Sequence, residues 1–496
     1  MHEITEQDIA ERMRLDNPWW DSDNISSTIF GYRRRDYFKA IFYRVRQTEP
    51  RRALVLMGPR RVGKTVLLQH VIGSLINGGA SARNIFYISL DTPVYIKMSL
   101  EKLLGIFLRE IASHSDDETI YVFFDEVQYL KDWEVHLKSL VDTDAYRNIK
   151  FTVSGSAAAA LRMKSHESGA GRFTNILLPP LTFAEYLGFM GLENNLIIKD
   201  DMAVSGAFKY QSPDINKLNE AFVNYLNYGG YPEVALSEAT RKNLEQFVRS
   251  DIIDKVLLRD LPSLYGISDL PELNSLFMML AYNSGGEVTL EALSKKANIS
   301  KQTIKRYLEY LESAFLIRKV ERIDRNAKHF KRMTSAKFYL TNPSLRAALF
   351  GPVDSDDNEL MGLLAETAAF SQWYDGYSTT DEITYARWSN GEVDMVNVDK
   401  KTLKPRWVSE IKWSDHFFQR PGSLTALLDF SKKHEEHIVE GIGSTTKTKS
   451  GKKTAKGIEI EFIPTSLYCY MVAKNQVRHI VKMLDLEDEQ LSFPLD

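Results

Sequence analysis

Residues 53–76 read ALVLMGPRRVGKTVLLQHVIGSLI, and no other part of the chain constrains its architecture so tightly. An apolar run from Ala53 to Met57 stops at Gly58, and beyond Thr65 the apolar residues recur at the period of a helix. Strand, glycine loop and helix in that order curl the backbone so that successive N–H groups face an anion at a helix N-terminus. Gly58, Pro59, Arg60, Arg61, Val62, Gly63, Lys64, Thr65 and Val66 are therefore the expected phosphate cradle. Lys64 would neutralise the β and γ phosphates of ATP, and the Thr65 hydroxyl would ligate Mg²⁺. The bland alternative is a surface Gly-Lys turn, which the strand and helix on either side disfavour.

Three further apolar runs lie downstream: Ile85 to Leu90, Ile120 to Phe124 and Lys150 to Val153. Amphipathic helical sequence fills the intervals, so the expected fold class is α/β with a parallel sheet covered on both faces. The third strand of this series, in YVFFDEVQYL, ends in Asp125 and Glu126. Asp125 is placed to hold a magnesium shell through water, and Glu126 to act as general base on the attacking water. A helix N-terminal charge would explain either acid alone. It does not explain the pair at the end of a buried strand.

After Pro179 and Pro180 the pattern turns to LTFAEYLGFM and a helix-rich stretch to about Gly266, expected to be an all-helical lid. Residues 286–323 have the rhythm of a winged helix-turn-helix, with Leu290, Leu293 and Ala297 on one helix, Ile299 in the turn, Ile304, Leu308 and Leu311 on the second, and Leu316 to Ile323 as the wing. Lys301, Gln302, Lys305 and Arg306 would line the exposed side of that second helix and could reach DNA; packing against neighbouring domains is the alternative. A helix from Glu359 to Tyr374 and strands at Ile383 to Trp388, Val393 to Val398 and Trp407 to Lys412 imply a separate mixed α/β unit. The expected domains are 1–28 (N-terminal segment), 29–179 (P-loop), 180–275 (lid), 276–333 (winged helix) and 334–496. Asp394 sits on one strand of the last unit, and Glu410 and Lys412, two apart on another, share a face. An ordinary cross-strand ion pair is the plain alternative.

At 496 residues, 44% hydrophobic and 26% charged, the chain has the composition of a globular protein of three or four domains. A net charge of -3 does not point to nucleic acid, leaving two local basic patches. One runs from Arg318 to Lys337 with Lys319, Arg322, Arg325, Lys328, Lys331 and Arg332; the other, Lys447 to Lys456, is expected to be a mobile loop. The single cysteine, Cys469, fits a reducing cytoplasmic location and excludes a cysteine-rich zinc site. No apolar run is long enough to span a membrane, and the N-terminus lacks the pattern of a signal peptide.

In combination, NPWW (17–20), GPRRVGKT, YISLD (87–91), FFDEVQ, TVSGSAAA (152–159), GRF (171–173), PLTFAEYL (180–187) and GGYPE (229–233) resemble the AAA-class and STAND-like P-loop ATPases of bacteria and archaea. Those proteins join a RecA/AAA-like domain to a winged helix and a C-terminal domain of restriction-endonuclease-like, PD-(D/E)XK, fold. The resemblance implies that Ser154 meets the γ-phosphate as a sensor. It also implies that Arg172 feels the phosphate in cis or from a neighbouring subunit. Asp394, Glu410 and Glu366, the last in helical GLLAETAAFSQW, would hold a catalytic metal, with Lys412 stabilising hydroxide or the transition state. Trp19, Trp20, Tyr32 and Arg33 could stack on adenine, although core packing is the commoner fate of such tryptophans. The implied function is a Mg²⁺-dependent ATPase controlling a nuclease-like domain that engages DNA. A non-cleaving switch or adaptor that binds DNA or a protein partner, or assembles with copies of itself, is the alternative.

Overall fold

Five short runs rich in β-branched and aromatic residues pair in parallel: Ala53–Met57 (β1), Ile85–Ser89 (β2), Ile120–Asp125 (β3), Ile149–Gly155 (β4) and Phe173–Leu177 (β5). Their spatial order is β2-β3-β4-β1-β5 in the computed structural model, which describes residues 5–22, 29, 31–47, 49–96, 98–112, 118–156, 171–200, 209–262, 266–267, 269–329, 335–373 and 381–482. Parallel strands need crossovers, and the helices Lys64–Asn77, Leu100–Glu110 and Trp133–Asp142 supply them between successive strands from β1 to β4. The fifth strand, β5, was not expected: FTNIL is fully buried only at Phe173 and Ile176 and lacks the continuous apolar signature. Trp19 and Trp20 are core residues. Both indole N–H groups donate to the Ile85 carbonyl, at 3.1 and 2.8 Å, and Trp20 stacks on Phe86 and Phe107.

The chain forms two compact units, one of residues up to Pro179 with a short stretch beginning at His479, the other from Pro180 to Arg478. The second opens with helix Phe183–Phe189, started by a Thr182–Glu185 capping box, and packs Phe183 on Phe222 and Tyr225 of helix Ile215–Tyr228. The segment expected to be all helical contains an antiparallel hairpin, Ile198–Asp200 (β6) with Lys209–Gln211 (β7), and π-helical turns over Glu245–Asp254 and Val256–Asp260.

Beyond helix Leu270–Tyr282 come Glu287–Thr289 (β8), helices Leu290–Ala297 and Lys301–Ser313, Ile317–Ile323 (β9) and Ser335–Leu340 (β10). The two helices meet at Asn298, in the left-handed conformation (φ 56°), and bury Leu293, Ile304, Leu308 and Leu311. Then follow helix Asn358–Gln372, Asp381–Trp388 (β11), Gly391–Asp399 (β12), Pro405–Glu410 (β13), Gly441–Thr446 (β14), Gly451–Ala455 (β15) and Ile458–Pro464 (β16). All of β8 to β16 join one nine-stranded sheet in the order β15-β16-β14-β13-β12-β11-β9-β10-β8. The boundary expected at 333/334 thus falls between two paired strands, β9 and β10, and β9 also pairs in parallel with β11. The unit expected to be separate shares its sheet with the helix-turn-helix segment, because a long-range strand pairing leaves no mark in local pattern.

Lys447 to Lys456, expected to be a mobile loop, is ordered. Asp415 accepts the backbone N–H groups of Lys447, Thr448 and Lys449 at 3.0, 2.8 and 3.2 Å and the Thr448 hydroxyl at 2.6 Å, while β15 pairs antiparallel with β16. Charge-assisted bonds and a strand ladder offset the entropy that composition alone could not. Among the described residues no helix is long and apolar enough to cross a membrane.

Candidate nucleotide site and carboxylate cluster

Because β4 lies between β1 and β3, the glycine loop after β1 and Asp125 at the end of β3 open onto the same carboxyl edge of the sheet. Thr65 Oγ1 donates to Asp125 Oδ2 at 2.7 Å, and the Tyr87 hydroxyl, from β2, donates to the same oxygen at 3.0 Å. On the other side, Asp125 Oδ1 accepts the Ser154 hydroxyl and the Glu126 N–H, the latter at 3.0 Å. The buried carboxylate is thus held by three hydroxyls and an amide, all neutral. Burial, then the Asp125 charge, pushes the Tyr87 hydroxyl far above its ordinary pKa, so it stays a donor.

Lys64 opens its helix and is buried, its ammonium donating to the loop carbonyls of Gly58 and Pro59 at 3.0 and 2.8 Å. Burial lowers its pKa, and Glu126 and Asp125 oppose that shift. Gly63 has φ 92°, a conformation that favours glycine, and a Cβ at Gly58 would come 2.3 Å from the Leu178 carbonyl oxygen. Arg35 braces the loop by donating to the carbonyls of Val62 (2.6 Å) and Pro179 (3.0 Å). Glu126 has left-handed backbone (φ 55°, ψ 43°), a strained choice for this residue type. The Gln128 amide donates to Glu126 Oε2, and its Oε1 accepts Ser156 N–H at 3.0 Å, tying the acid to the end of β4. A hydroxyl and a carboxylate oxygen 2.7 Å apart beside a helix N-terminus form a donor set suited to Mg²⁺ on a triphosphate.

The structure brings Lys64, Thr65, Asp125, Glu126 and Ser154 together, and adds Tyr87, Gln128 and Arg35. It does not bring Arg172 to them within the chain. Arg172 precedes β5, its carbonyl accepts Ala53 N–H at the start of β1, and its Nε donates to Asp142 at 2.9 Å. That is the opposite end of β1 from the loop, roughly 16 Å along the strand. Tyr32 is 50% exposed.

The C-terminal acids also converge. Lys412 follows the end of β13, and its Nζ lies 2.6 Å from Glu410 Oε2 and 2.8 Å from Asp394 Oδ2, which also accepts Ile411 N–H at 3.0 Å. Lys337, from β10, meets Glu366 Oε1 at 2.9 Å, Glu392 Oε1 at 2.6 Å and Asp394 Oδ1 at 3.8 Å. Tyr339 donates to Glu366 Oε1 at 2.6 Å. Burial and the charge of Asp394 push the Glu410 carboxyl well above its usual value, and burial raises Glu366 despite Lys337. Burial acts on Asp394 too, but Lys412 and Lys337 outweigh it and hold that carboxyl below the carboxylate range. For both lysines burial alone would lower the pKa; the surrounding acids reverse that and raise it.

Lys337, Tyr339 and Glu392 were absent from the expected site. The signal was present: Lys337 and Tyr339 stand two apart in the otherwise apolar SAKFYL, so they share a face. Lys337 had instead been grouped with a basic patch that the structure disperses. Arg318 donates to the carbonyls of Phe370 and Trp373, Lys319 pairs with Glu321, Arg322 with Glu287 and Arg325 with Asp429. Lys331 and Arg332 lie outside the described residues. Lys301, Gln302, Lys305 and Arg306, by contrast, are all exposed on their helix. The one group of three His, Cys, Asp or Glu ligand atoms mutually within 4.8 Å, among the described residues, is Glu321, His329 and Glu382, not the expected acids.

Sheet order, glycine loop and paired acids define a nucleotide-binding P-loop domain. Residues 50–187 match the family model of an AAA domain, so the chain carries an AAA-type P-loop ATPase domain; residues 219–356 match a domain of unknown function. An uncharacterized protein of Haemophilus influenzae is 27% identical over 302 residues, 60% of this chain and 69% of that one. Another, from Methanocaldococcus jannaschii, is 24% identical over 303 residues, 59% of this chain and 61% of its own length. Among solved structures, the Thermotoga maritima RuvB Holliday junction branch migration motor is similar at 18% identity over 54% of this chain and 82% of that one (TM-score 0.26). The Aeropyrum pernix ORC1 protein in complex with DNA is similar at 12% identity over 63% and 91% (TM-score 0.31).

Proposed function

We propose that this protein is a Mg²⁺-dependent ATPase whose nucleotide state controls a C-terminal nuclease-like domain that engages DNA, in the cytoplasm. The carrying observation is the Thr65–Asp125 hydrogen bond at the mouth of the glycine loop. Mg²⁺-ATP, when bound, supplies a polarised γ-phosphate and the metal's charge. The loop amides and Lys64, whose ammonium now donates to the carbonyls of Gly58 and Pro59, would hold the phosphates. Thr65 and Asp125 would hold the metal, and Glu126 is the residue that would take a proton from the attacking water. Gln128 and Ser154 couple the two acids to β4 and so to the rest of the sheet. The order helix, strand, helix, helix, strand, strand over 270–340 supports a winged helix, and its exposed Lys301, Gln302, Lys305 and Arg306 support contact with DNA phosphates.

A second reading, a switch or adaptor that cuts nothing, is favoured by one observation: the carboxylates of the nuclease-like pattern already hold two ammonium groups. The test is ATP hydrolysis by wild type, Lys64→Ala and Glu126→Gln, with linear, branched and single-stranded DNA supplied with and without ATP in Mg²⁺ or Mn²⁺. Lys64→Ala should lose binding, and Glu126→Gln should bind ATP without hydrolysing it. Cleavage abolished by Asp394→Ala while ATP turnover persists supports the nuclease; DNA binding without cleavage supports the switch. Full turnover by both P-loop variants would sink the ATPase assignment.

A further inference from the structure

The carboxylates of Glu366, Asp394 and Glu410 do not, as arranged, make a ready metal site. Each is within hydrogen-bond or ion-pair distance of an ammonium, and Glu366 Oε1 accepts from both Lys337 and Tyr339. A hard divalent cation bonds carboxylate oxygen at about 2.0–2.6 Å. An ion held by Glu366 Oε1 and Asp394 Oδ1 would therefore take the place now filled by Lys337 Nζ, 2.9 and 3.8 Å from those atoms. Nor is Lys337 a surface side chain that can swing aside: it is 5% exposed, lies over the Tyr385 ring with its Nζ 5.4 Å from the centroid, and is anchored on its far side by Glu392.

We propose that Lys337 is a built-in counter-cation that competes with a divalent metal for the Glu366–Asp394 oxygens, so that the cluster takes a metal only when this lysine is withdrawn. This rests on the nuclease-like reading of the domain. The competing charge enters on β10, which pairs with β8 and β9 of the helix-turn-helix segment, whereas the acids stand on β12, β13 and helix Asn358–Gln372. A shift of the β9–β10 pair would carry the ammonium with it, which gives the helix-turn-helix segment a mechanical hold on the metal site. Lys412, which faces Asp394 and Glu410 from the other side, would remain to serve the expected lysine role.

The experiment measures Mn²⁺ binding, by electron paramagnetic resonance and by Mn²⁺-dependent melting temperature, on the full chain without nucleotide. The proteins are wild type, Lys337→Gln, Lys337→Arg and Glu392→Gln, and DNA cleavage is not read. Lys337→Gln should bind Mn²⁺ at least about tenfold more tightly than wild type, and its melting temperature, lowered without metal, should rise on adding it. Lys337→Arg should behave as wild type. Should Lys337→Gln fail to fold, Glu392→Gln, which frees one anchor of the lysine, should tighten binding by about threefold. Mn²⁺ affinity of Lys337→Gln and Glu392→Gln no greater than wild type overturns the competition while leaving the nuclease-like reading intact. If adding Glu366→Gln to Lys337→Gln leaves its Mn²⁺ binding unchanged, the metal is not at this cluster, and both fall.

Discussion

The carboxylate at the glycine loop and the carboxylate cluster of the second unit are neutralised in opposite ways. Asp125 is satisfied by Thr65, Tyr87, Ser154 and a backbone amide, none of which carries charge, and Lys64 spends its ammonium on carbonyl oxygens. The ammonium and the carboxylate at the glycine loop are thus each held by neutral partners. In the second unit Glu366, Glu392, Asp394 and Glu410 are matched by Lys337 and Lys412 at 2.6–2.9 Å. An acid held by neutral donors keeps its charge for a ligand. One held by a neighbouring cation has become part of the fold, and recruiting it for chemistry requires breaking a buried pair.

Replacing one lysine from each site should separate these cases most widely. Lys64→Ala should weaken ATP binding by about 100-fold or more, since the phosphates lose their only ammonium in the loop. It should leave the denaturation midpoint of the nucleotide-free protein almost unmoved. Lys412→Ala should do the reverse, keeping ATP affinity and destabilising the second unit by about 3 kcal/mol, because Asp394 and Glu410 are left buried without their shared partner. Nucleotide-analogue binding and urea denaturation on the same two variants decide it. A Lys64→Ala protein as destabilised as Lys412→Ala would erase the contrast.

Acid titration sharpens the second half of the comparison. Glu410 is raised above its ordinary 4.5, so the folded protein holds that proton more tightly than the unfolded chain. Its contribution is fully present below pH 4.5 and is lost as the pH rises through the folded value. Asp394 is lowered below 3.8, so its contribution is present above that value and is lost as the pH falls. Glu410→Gln removes only the first. Its stability relative to wild type should therefore grow as the pH climbs from 4.5, measured by denaturation across the series. A constant offset at every pH would mean that Glu410 is not the proton-holding acid.

Much of this was legible in the residues. A glycine loop between an apolar strand and a helical period points to a phosphate cradle, and the FFDE strand end supplies acids that reach the same sheet edge. Four of the five parallel strands were readable because each carries a largely apolar run; β5 was not, since FTNIL is half open. The charge state of the C-terminal cluster was hidden for a different reason. Lys337 reads like its neighbours Lys319 and Arg322 until the fold buries it, and burial here depends on β9 meeting β11, a pairing no local window contains. The place of Arg172 within the chain was hidden in the same way: a loop arginine gives no sign of which end of a strand it will occupy. Ordering of Lys447 to Lys456 depended on an acid, Asp415, more than thirty positions away.

Within the nucleotide site the next effect is smaller. Ser154→Ala removes one of four donors to Asp125, leaving Thr65, Tyr87 and the Glu126 amide in place. ATP affinity should change by less than about threefold and turnover fall by about tenfold, the worth of one hydrogen bond that matters most as charge moves. Arg172→Ala, which breaks only an exposed pair with Asp142, should leave turnover of the isolated chain within about twofold of wild type. Steady-state hydrolysis measures both. Equal losses in the two would return Arg172 to the nucleotide.

The smallest expected effect is at Asp415, an acid held by neutral donors outside both clusters. Burial would push its carboxyl up, but the Thr448 hydroxyl and the amides of Thr448, Lys449 and Lys447 outweigh it and hold it low. Its charge is consumed by the turn between β14 and β15, and the difference from Asp125 lies in the donors: three are consecutive backbone amides, which fix a chain segment, whereas Asp125 draws on side chains from three separate strands and helices. Asp415→Ala should cost about 1 kcal/mol, as the loss of a capping acid does elsewhere, and Asp415→Asn less, since an acceptor survives. Hydrogen exchange of the Lys447, Thr448 and Lys449 amides should quicken in the alanine variant while ATP turnover stays unchanged. Faster exchange confined to those amides assigns Asp415 to structure; a fall in turnover without it would show that neutral donors alone do not separate a waiting acid from a structural one.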